Sequence, residues 1–429
     1  MTRVSLALAA ALALLAGSAS AQQVAIQAGH LFDATDGRMR GPSTIFVSGQ
    51  RIERVEDGFV ERPGYRIVDQ RQRTVLPGLI DCHVHLTMSD NSYRLAAPTP
   101  HRSTAALALL APRNAQATLA AGFTSVRNVG AFGGTDLLLK QAIDAGDLPG
   151  PRMFVALEAI GPTGGHSDPA NDNDAALDAP ERRNAVADGV DAFVQLVRDH
   201  KRRGATLIKI MPGGGVGSPG DDPNRQLMSD AEILAVVETA HSLGMRVAAH
   251  AEGEGAIDAA LRGGVDSIEH GDFGSDKSWA MAKAKGIALV PTLATSEALM
   301  IAFREHPDRY PAEIREKISL VTPYSIKALG AAYRAHVRIA FGTDATGLVP
   351  HGGNAMEFPL MVKAGMSASD AILAATANAA DLIGSADIGR LVPGRYADMI
   401  AVDGDPLRDI AVLSEVRWVM KGGAEVAGR

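Results

Sequence analysis

The chain has 429 residues, 42 Lys plus Arg against 49 Asp plus Glu, and a formal net charge of -7. Its 46% hydrophobic and 21% charged content excludes a disordered chain, and the lack of basic blocks argues against a nucleic-acid partner. The single cysteine, Cys82, excludes an intrachain disulfide and any cysteine-built zinc or iron–sulfur site.

Residues 1–21 contain Arg3, an apolar run from Leu6 to Ala16 and a terminal Ala19-Ser20-Ala21. This is the pattern of a cleaved export signal. The apolar run is too short to serve as an anchor across about 30 Å of hydrocarbon. A mature chain starting near Gln22 is expected, periplasmic or secreted, with no membrane attachment after cleavage.

Residues 24–75 hold short alternating runs such as VAIQAGHLF and TIFVSGQRIERV, and the segment from Asp387 onward reads the same way. The two ends therefore predict one small β-sandwich, residues 22–77 with 387–429, around a central domain of 78–386. The centre alternates strand and helix patterns. Candidate strands cover 75–83, 123–129, 151–160, 207–212, 246–250, 267–271, 288–293 and 338–344, and helical patterns follow them, the last running over 359–384. Eight such units predict an α/β protein built on a (β/α)8 barrel, also called a TIM barrel. A doubly wound sheet is the alternative, but no strand is followed by G-x-G-x-x-G. Two Gly- and Pro-rich loops, 161–180 and 213–228, leave C-terminal strand ends, which form the active face of a barrel.

His83-Val84-His85 closes the first central strand. Residues two apart on a strand point the same way, so both imidazoles converge, and neutral imidazole binds zinc and related ions. Cys82, between Asp81 and His83, should face away from the metal side and pack. Lys209 in LIKIMPGG, His250 in VAAHAEG, His270 in SIEHG and Asp344 in FGTDA lie at later strand ends. Singly, each has an ordinary reading. Lys209 could snorkel or pair, His250 and His270 could be core histidines, and Asp344 could cap a helix. Converging on one barrel mouth without a metal, they would leave polar groups buried and unpaired, at several kcal/mol.

Together with Val75-Leu76-Pro77-Gly78-Leu79-Ile80-Asp81, this ordered set resembles the amidohydrolase superfamily over nearly the whole mature chain. The resemblance implies two divalent metal ions. His83, His85 and Asp344 would hold one, His250 and His270 the other, and Lys209, N6-carboxylated by carbon dioxide, would bridge both. Nitrogen and oxygen donors favour zinc; manganese, cobalt and iron share the donor set. Asp344 would move the proton between the attacking water and the leaving nitrogen.

Gly164-Gly165-His166, Gly213-Gly214-Gly215-Val216 and His351-Gly352-Gly353-Asn354 follow strands 3, 4 and 8. They resemble the imidazolonepropionase-like branch with its Xaa-Pro and Xaa-Arg dipeptidases, and in particular the bacterial ochratoxin-hydrolysing amidohydrolases. The implied substrate is an amide joining a C-terminal amino acid to an acyl group: an N-acyl amino acid, a dipeptide or ochratoxin A. His166 is a candidate donor to the oxyanion or the substrate carboxylate; alternatively it is a solvated loop residue. Gly214, Gly215 and Val216 allow close ligand approach or form a plain turn. Met228 replaces an aromatic residue carried by some relatives and is a candidate substrate contact. His351 is another, although with Asn354 it also reads as a supporting or helix-entry group. Arg198, Lys201, Arg202 and Arg203 read as a solvated helix end. The resemblance further implies a homo-oligomer. Two other readings stay open: hydrolysis of a cyclic amide, and a catalytically silent metal-binding scaffold.

Overall fold

Alternation of apolar and polar residues at the chain ends produces strands with two distinct faces. The computed structural model describes residues 23–88, 103–171 and 184–426. The expected export segment lies outside the described residues, as does the 172–180 part of the first long loop. From the N-terminal side come β1 (Gln23–Asp33), β2 (Arg38–Arg40), β3 (Ser43–Ser48), β4 (Arg51–Asp57) and β5 (Arg66–Pro77).

The central domain follows with β6 (Leu79–Val84), β7 (Phe123–Asn128) and β8 (Arg152–Val155), paired in parallel. A second parallel arc holds β9 (Leu207–Ile210), β10 (Arg246–Ala251), β11 (Ser267–His270) and β12 (Ala288–Val290). Backbone hydrogen bonds join the arcs at both seams. Ile160 N donates to Lys209 O at 2.9 Å, and Met211 N donates to Ile160 O at 2.9 Å. At the other seam, residues 338–345 supply the eighth member of the ring. Leu289 N donates to Arg338 O at 2.9 Å, Cys82 N to Phe341 O at 2.8 Å and His85 N to Ala345 O at 3.0 Å. The result is a (β/α)8 barrel.

Two expected strands are irregular. The 151–160 run breaks after Val155, where Leu157 takes φ 64, and returns to the ring at Ile160. The eighth segment carries φ 55 at Asp344. Helices α1 (Thr104–Ala120), α2 (Thr135–Ala145), α3 (Val190–Arg203), α4 (Asp230–Ser242), α5 (Glu254–Gly263) and α6 (Asp276–Lys285) cover the barrel. In α4, Ile233, Val236, Val237 and Ala240 form the buried stripe. A reciprocal Ser229–Glu232 capping box starts that helix. After β12 come α7 (Leu293–Glu305), α8 (Ala312–Val321) and α9 (Ser325–Arg334). The helical pattern over 359–384 is three short helices, α10 (Glu357–Lys363), α11 (Ala368–Ala374) and α12 (Ala377–Ile383). Gly365 at φ 106 breaks the run and Ser367 caps α11, accepting from Asp370 N.

The C-terminal strands β13 (Met399–Asp403), β14 (Trp418–Lys421) and β15 (Ala424–Glu425) return to the first sheet. Its order is β15-β14-β13-β5-β1-β3-β4, with β2 on β1. Both chain ends thus share one hydrogen-bonded sheet. Its faces separate with period two. Met399 and Ala401 join Val24, Ile26 and Ile45 in one core, while Ile400 and Val402 pack with the barrel core. Among the described residues no helix is long and apolar enough to cross a membrane.

Candidate metal centre

His83 ends on β6 and His85 follows it, both buried. Cys82 points the other way and packs with Ala288, Val290, Ala340 and Ala379. His83 Nδ1 lies 2.7 Å from Glu269 Oε2, a carboxylate that can only accept, so Nδ1 carries a proton. His85 Nδ1 likewise donates to Gly130 O at 2.9 Å. In a neutral His83 ring Nε2 is then a lone pair, and the Nε2 atoms of His83 and His85 both face Asp344 Oδ1, at 3.5 and 3.2 Å. Burial, with Lys209 close by, pushes the His83 imidazole well below its ordinary pKa, which keeps it neutral.

The remaining candidates close the same cavity. Lys209 lines it from β9, His250 from β10 and His270 from the end of β11. His250 Nε2 donates to Gly214 O at 3.1 Å, which leaves Nδ1 as its free lone pair. His270 Nδ1 pairs with Thr292 Oγ1 at 2.7 Å. Ring centroids of His250 and His270 are 4.6 Å apart, and those of His270 and His83 5.1 Å. Burial lowers the Lys209 pKa to about 8, against the opposing pull of Glu269 and Asp344. His270 and Asp344 both hold positive φ, 72° and 55°, a strain of roughly 1–3 kcal/mol each that functional sites tolerate.

These residues suit a cation. The ligand atoms of His83, His85 and Asp344 lie within 4.8 Å of one another. Asp344 Oδ1 is buried with no hydrogen-bond partner among the described residues. A carboxylate oxygen facing the His83 lone pair is unfavourable until a positive charge sits between them.

Supporting residues fix this arrangement. Asp81, fully buried, accepts from His83 N at 3.0 Å, Thr343 Oγ1 at 2.7 Å and Asn354 Nδ2 at 2.7 Å, tying the first strand to the eighth. Glu269 also takes Arg127 Nη2 at 2.8 Å. The sequence reading did not single out Arg127, Glu269 or Thr292. A signal was present for two of them: Arg127 and Glu269 are ionisable residues within expected barrel strands.

On the substrate side His166 and Val216 line the cavity with Met211, Leu299, Val321 and Leu348. Gly214 supplies its carbonyl to His250, and Gly215 lies against the His166 ring. Met228 is fully buried in the barrel core, outside the cavity lining, because Leu227 N and Met228 N both bond Pro212 O and turn the chain inward. His351 lies outside the lining too and bonds Met88 O at 3.1 Å. Asn354 serves Asp81, as a supporting group. The basic run closes α3, where Arg203 pairs with Glu158 at 2.9 Å.

Residues 74–426 match the Amidohydrolase family. The chain belongs to the amidohydrolase family. It is 34% identical over 375 residues to ochratoxinase of Aspergillus niger, covering 82% of this chain and 75% of that one. The crystal structure of that ochratoxinase superposes with a TM-score of 0.84 at 30% identity, covering 96% of each chain. A Xaa-Pro dipeptidase with methionine bound in its active site gives a TM-score of 0.89 at 36% identity, covering 95% of this chain and 100% of the other. As an amidohydrolase the protein is a hydrolase of C–N bonds, in a superfamily that is generally metal-dependent.

Proposed function

We propose that this amidohydrolase is a two-metal enzyme that cleaves the amide between an acyl group and a C-terminal amino acid. The observation that carries this reading is the set of ligand-type residues around Asp344 Oδ1, which has no hydrogen-bond partner among the described residues, at the mouth of one barrel. The substrate class is supported by the likeness to an ochratoxinase and a Xaa-Pro dipeptidase. N-acyl amino acids, dipeptides and ochratoxin A, giving ochratoxin alpha and phenylalanine, are the proposed substrates.

His83, His85 and Asp344 would hold one divalent ion, and His250 and His270 a second. Lys209 would bridge them as a carbamate, and zinc is the favoured metal. Bound there, such ions would polarise the substrate carbonyl and lower the pKa of water. The chain's own groups do the rest. A Lys209 amine held near pKa 8 is partly neutral at physiological pH, the form that adds carbon dioxide and releases a proton. Asp344 is placed to take a proton from the attacking water and return it to the leaving nitrogen. His166 presents its ring to the substrate, and Val216, Leu299, Val321 and Leu348 exclude water around an apolar group.

Export through residues 1–21 places the enzyme in the periplasm or outside the cell, and we propose a homo-oligomer.

The test is incubation of metal-replete protein with N-acyl amino acids, Xaa-Pro dipeptides and ochratoxin A, with products read by mass spectrometry. Release of a free C-terminal amino acid is expected. No release anywhere in the panel, with cyclic amides opened instead, would overturn the substrate class.

A further inference from the structure

His166 comes from a loop, yet its ring is held on three sides. It stacks on His250 with centroids 4.3 Å apart and planes 14° apart. Gly215 lies on another side, where an added Cβ would fall 2.4 Å from His166 Cε1. On the third side His166 Nδ1 is 2.6 Å from Ser218 Oγ.

That last contact begins a buried chain. Ser218 Oγ donates its single proton to Asp221 Oδ2 at 2.6 Å, so it can only accept from the ring. Nδ1 of His166 therefore carries the proton and points away from the cavity. Asp221 Oδ1 accepts from Lys317 Nζ at 2.9 Å, and the same ammonium donates to Ser218 O at 2.7 Å. Lys317 also pairs with Glu313 at 3.0 Å, one turn earlier on α8, and Glu313 accepts from Gly220 N at 2.9 Å. Ser218, Asp221 and Lys317 are all buried. A desolvated lysine–aspartate pair adds little net stability by itself, but it holds its partners in one geometry. Here the geometry reaches from α8, outside the barrel, to the cavity.

We propose that Lys317, Asp221 and Ser218 are positioning residues for His166: they anchor its Nδ1 edge so that Nε2 faces the acyl end of the bound amide. What His166 touches rests on the amide-hydrolase reading above; how it is held does not.

The test combines crystal structures with kinetics for Ser218→Ala, Ser218→Thr and Lys317→Met in the full-length, metal-loaded protein. In Ser218→Ala and Lys317→Met the His166 ring leaves its stack on His250. The rate constant for amide cleavage falls about 100-fold, more than KM changes, as expected for a group displaced by about 1 Å. Ser218→Thr keeps a hydroxyl and restores both ring position and rate. Adding Ser218→Ala to His166→Ala costs nothing further, because both act through one ring. Ser218→Ala removes only a hydroxyl and guards against misfolding of the lysine variant. An unmoved ring in both variants, or losses that multiply in the double variant, would overturn the proposal. A displaced ring in a protein whose wild type cleaves no amide would uphold the anchoring and overturn the amide-hydrolase reading instead.

Discussion

At the scale of single residues, the centre is defined by which nitrogen of each histidine the protein's own acceptors hold. Glu269 fixes His83 through Nδ1, and Gly130 and Gly214 fix His85 and His250 through their carbonyls. Replacing Glu269 with Gln exchanges a charged acceptor for a neutral one and leaves Arg127 without its ion pair. Metal affinity should fall about tenfold to a hundredfold, measured by competition with a chromophoric chelator. Unchanged affinity would remove Glu269 from the site's support. Cys82 belongs to the packing. Burial pushes its thiol up to about 12, so a thiol reagent should leave the native protein unlabelled and react only after denaturation. The proposed ligands could be picked out in the sequence because their residue types sit at strand ends in a fixed order. Their orienting partners were less legible, since a backbone carbonyl such as that of Gly130 or Gly214 leaves no mark in the residue type. Position along a loop does not say which side of it faces the cavity, and Met228 and His351 lie outside the lining.

At the scale of elements, two loops and one helix start control the cavity. Gly215→Ala would place a Cβ 2.5 Å from His166 Nδ1, and the ring would have to move. Activity should drop about 100-fold with metal content intact, read by steady-state kinetics alongside elemental analysis. The start of α7 carries Leu293 and Ala294, whose N–H groups donate to Glu357 at 3.0 and 2.6 Å. Burial raises the Glu357 carboxyl from 4.5 to about 8. Folded protein then keeps this proton over a range where the unfolded chain has lost it. Stability from this group is therefore present below about pH 4.5 and falls as pH rises towards 8. The melting temperature should decline by about 5 °C across that range and flatten in Glu357→Gln. A wild-type profile that rises instead would contradict the assignment. Strand and helix periodicity made the alternating units readable. The eighth segment was harder to place as observed, since positive φ at Asp344 interrupts its ladder, and Gly365 divides what reads as one long helix.

At the scale of the whole molecule, the two chain ends close one sheet. β13 lies between β5 and β14, so removing residues 398–429 would expose the β5 edge and the apolar face of the first core. That truncation should give insoluble or metal-free protein, read by circular dichroism and elemental analysis. The barrel serves the centre in the same way: the proposed ligands come from both arcs and from the seam between them, and the ring of backbone hydrogen bonds brings them to one cavity. On the reading proposed above, these residues form a single two-metal site bridged by Lys209. Metal stoichiometry by elemental mass spectrometry, for wild type and Lys209→Ala with amide hydrolysis assayed on the same samples, tests it most directly. Two divalent ions per chain in the wild type, with at least one ion and nearly all activity lost in the variant, is the predicted result. A Lys209→Ala protein that keeps two ions and the full rate would contradict it.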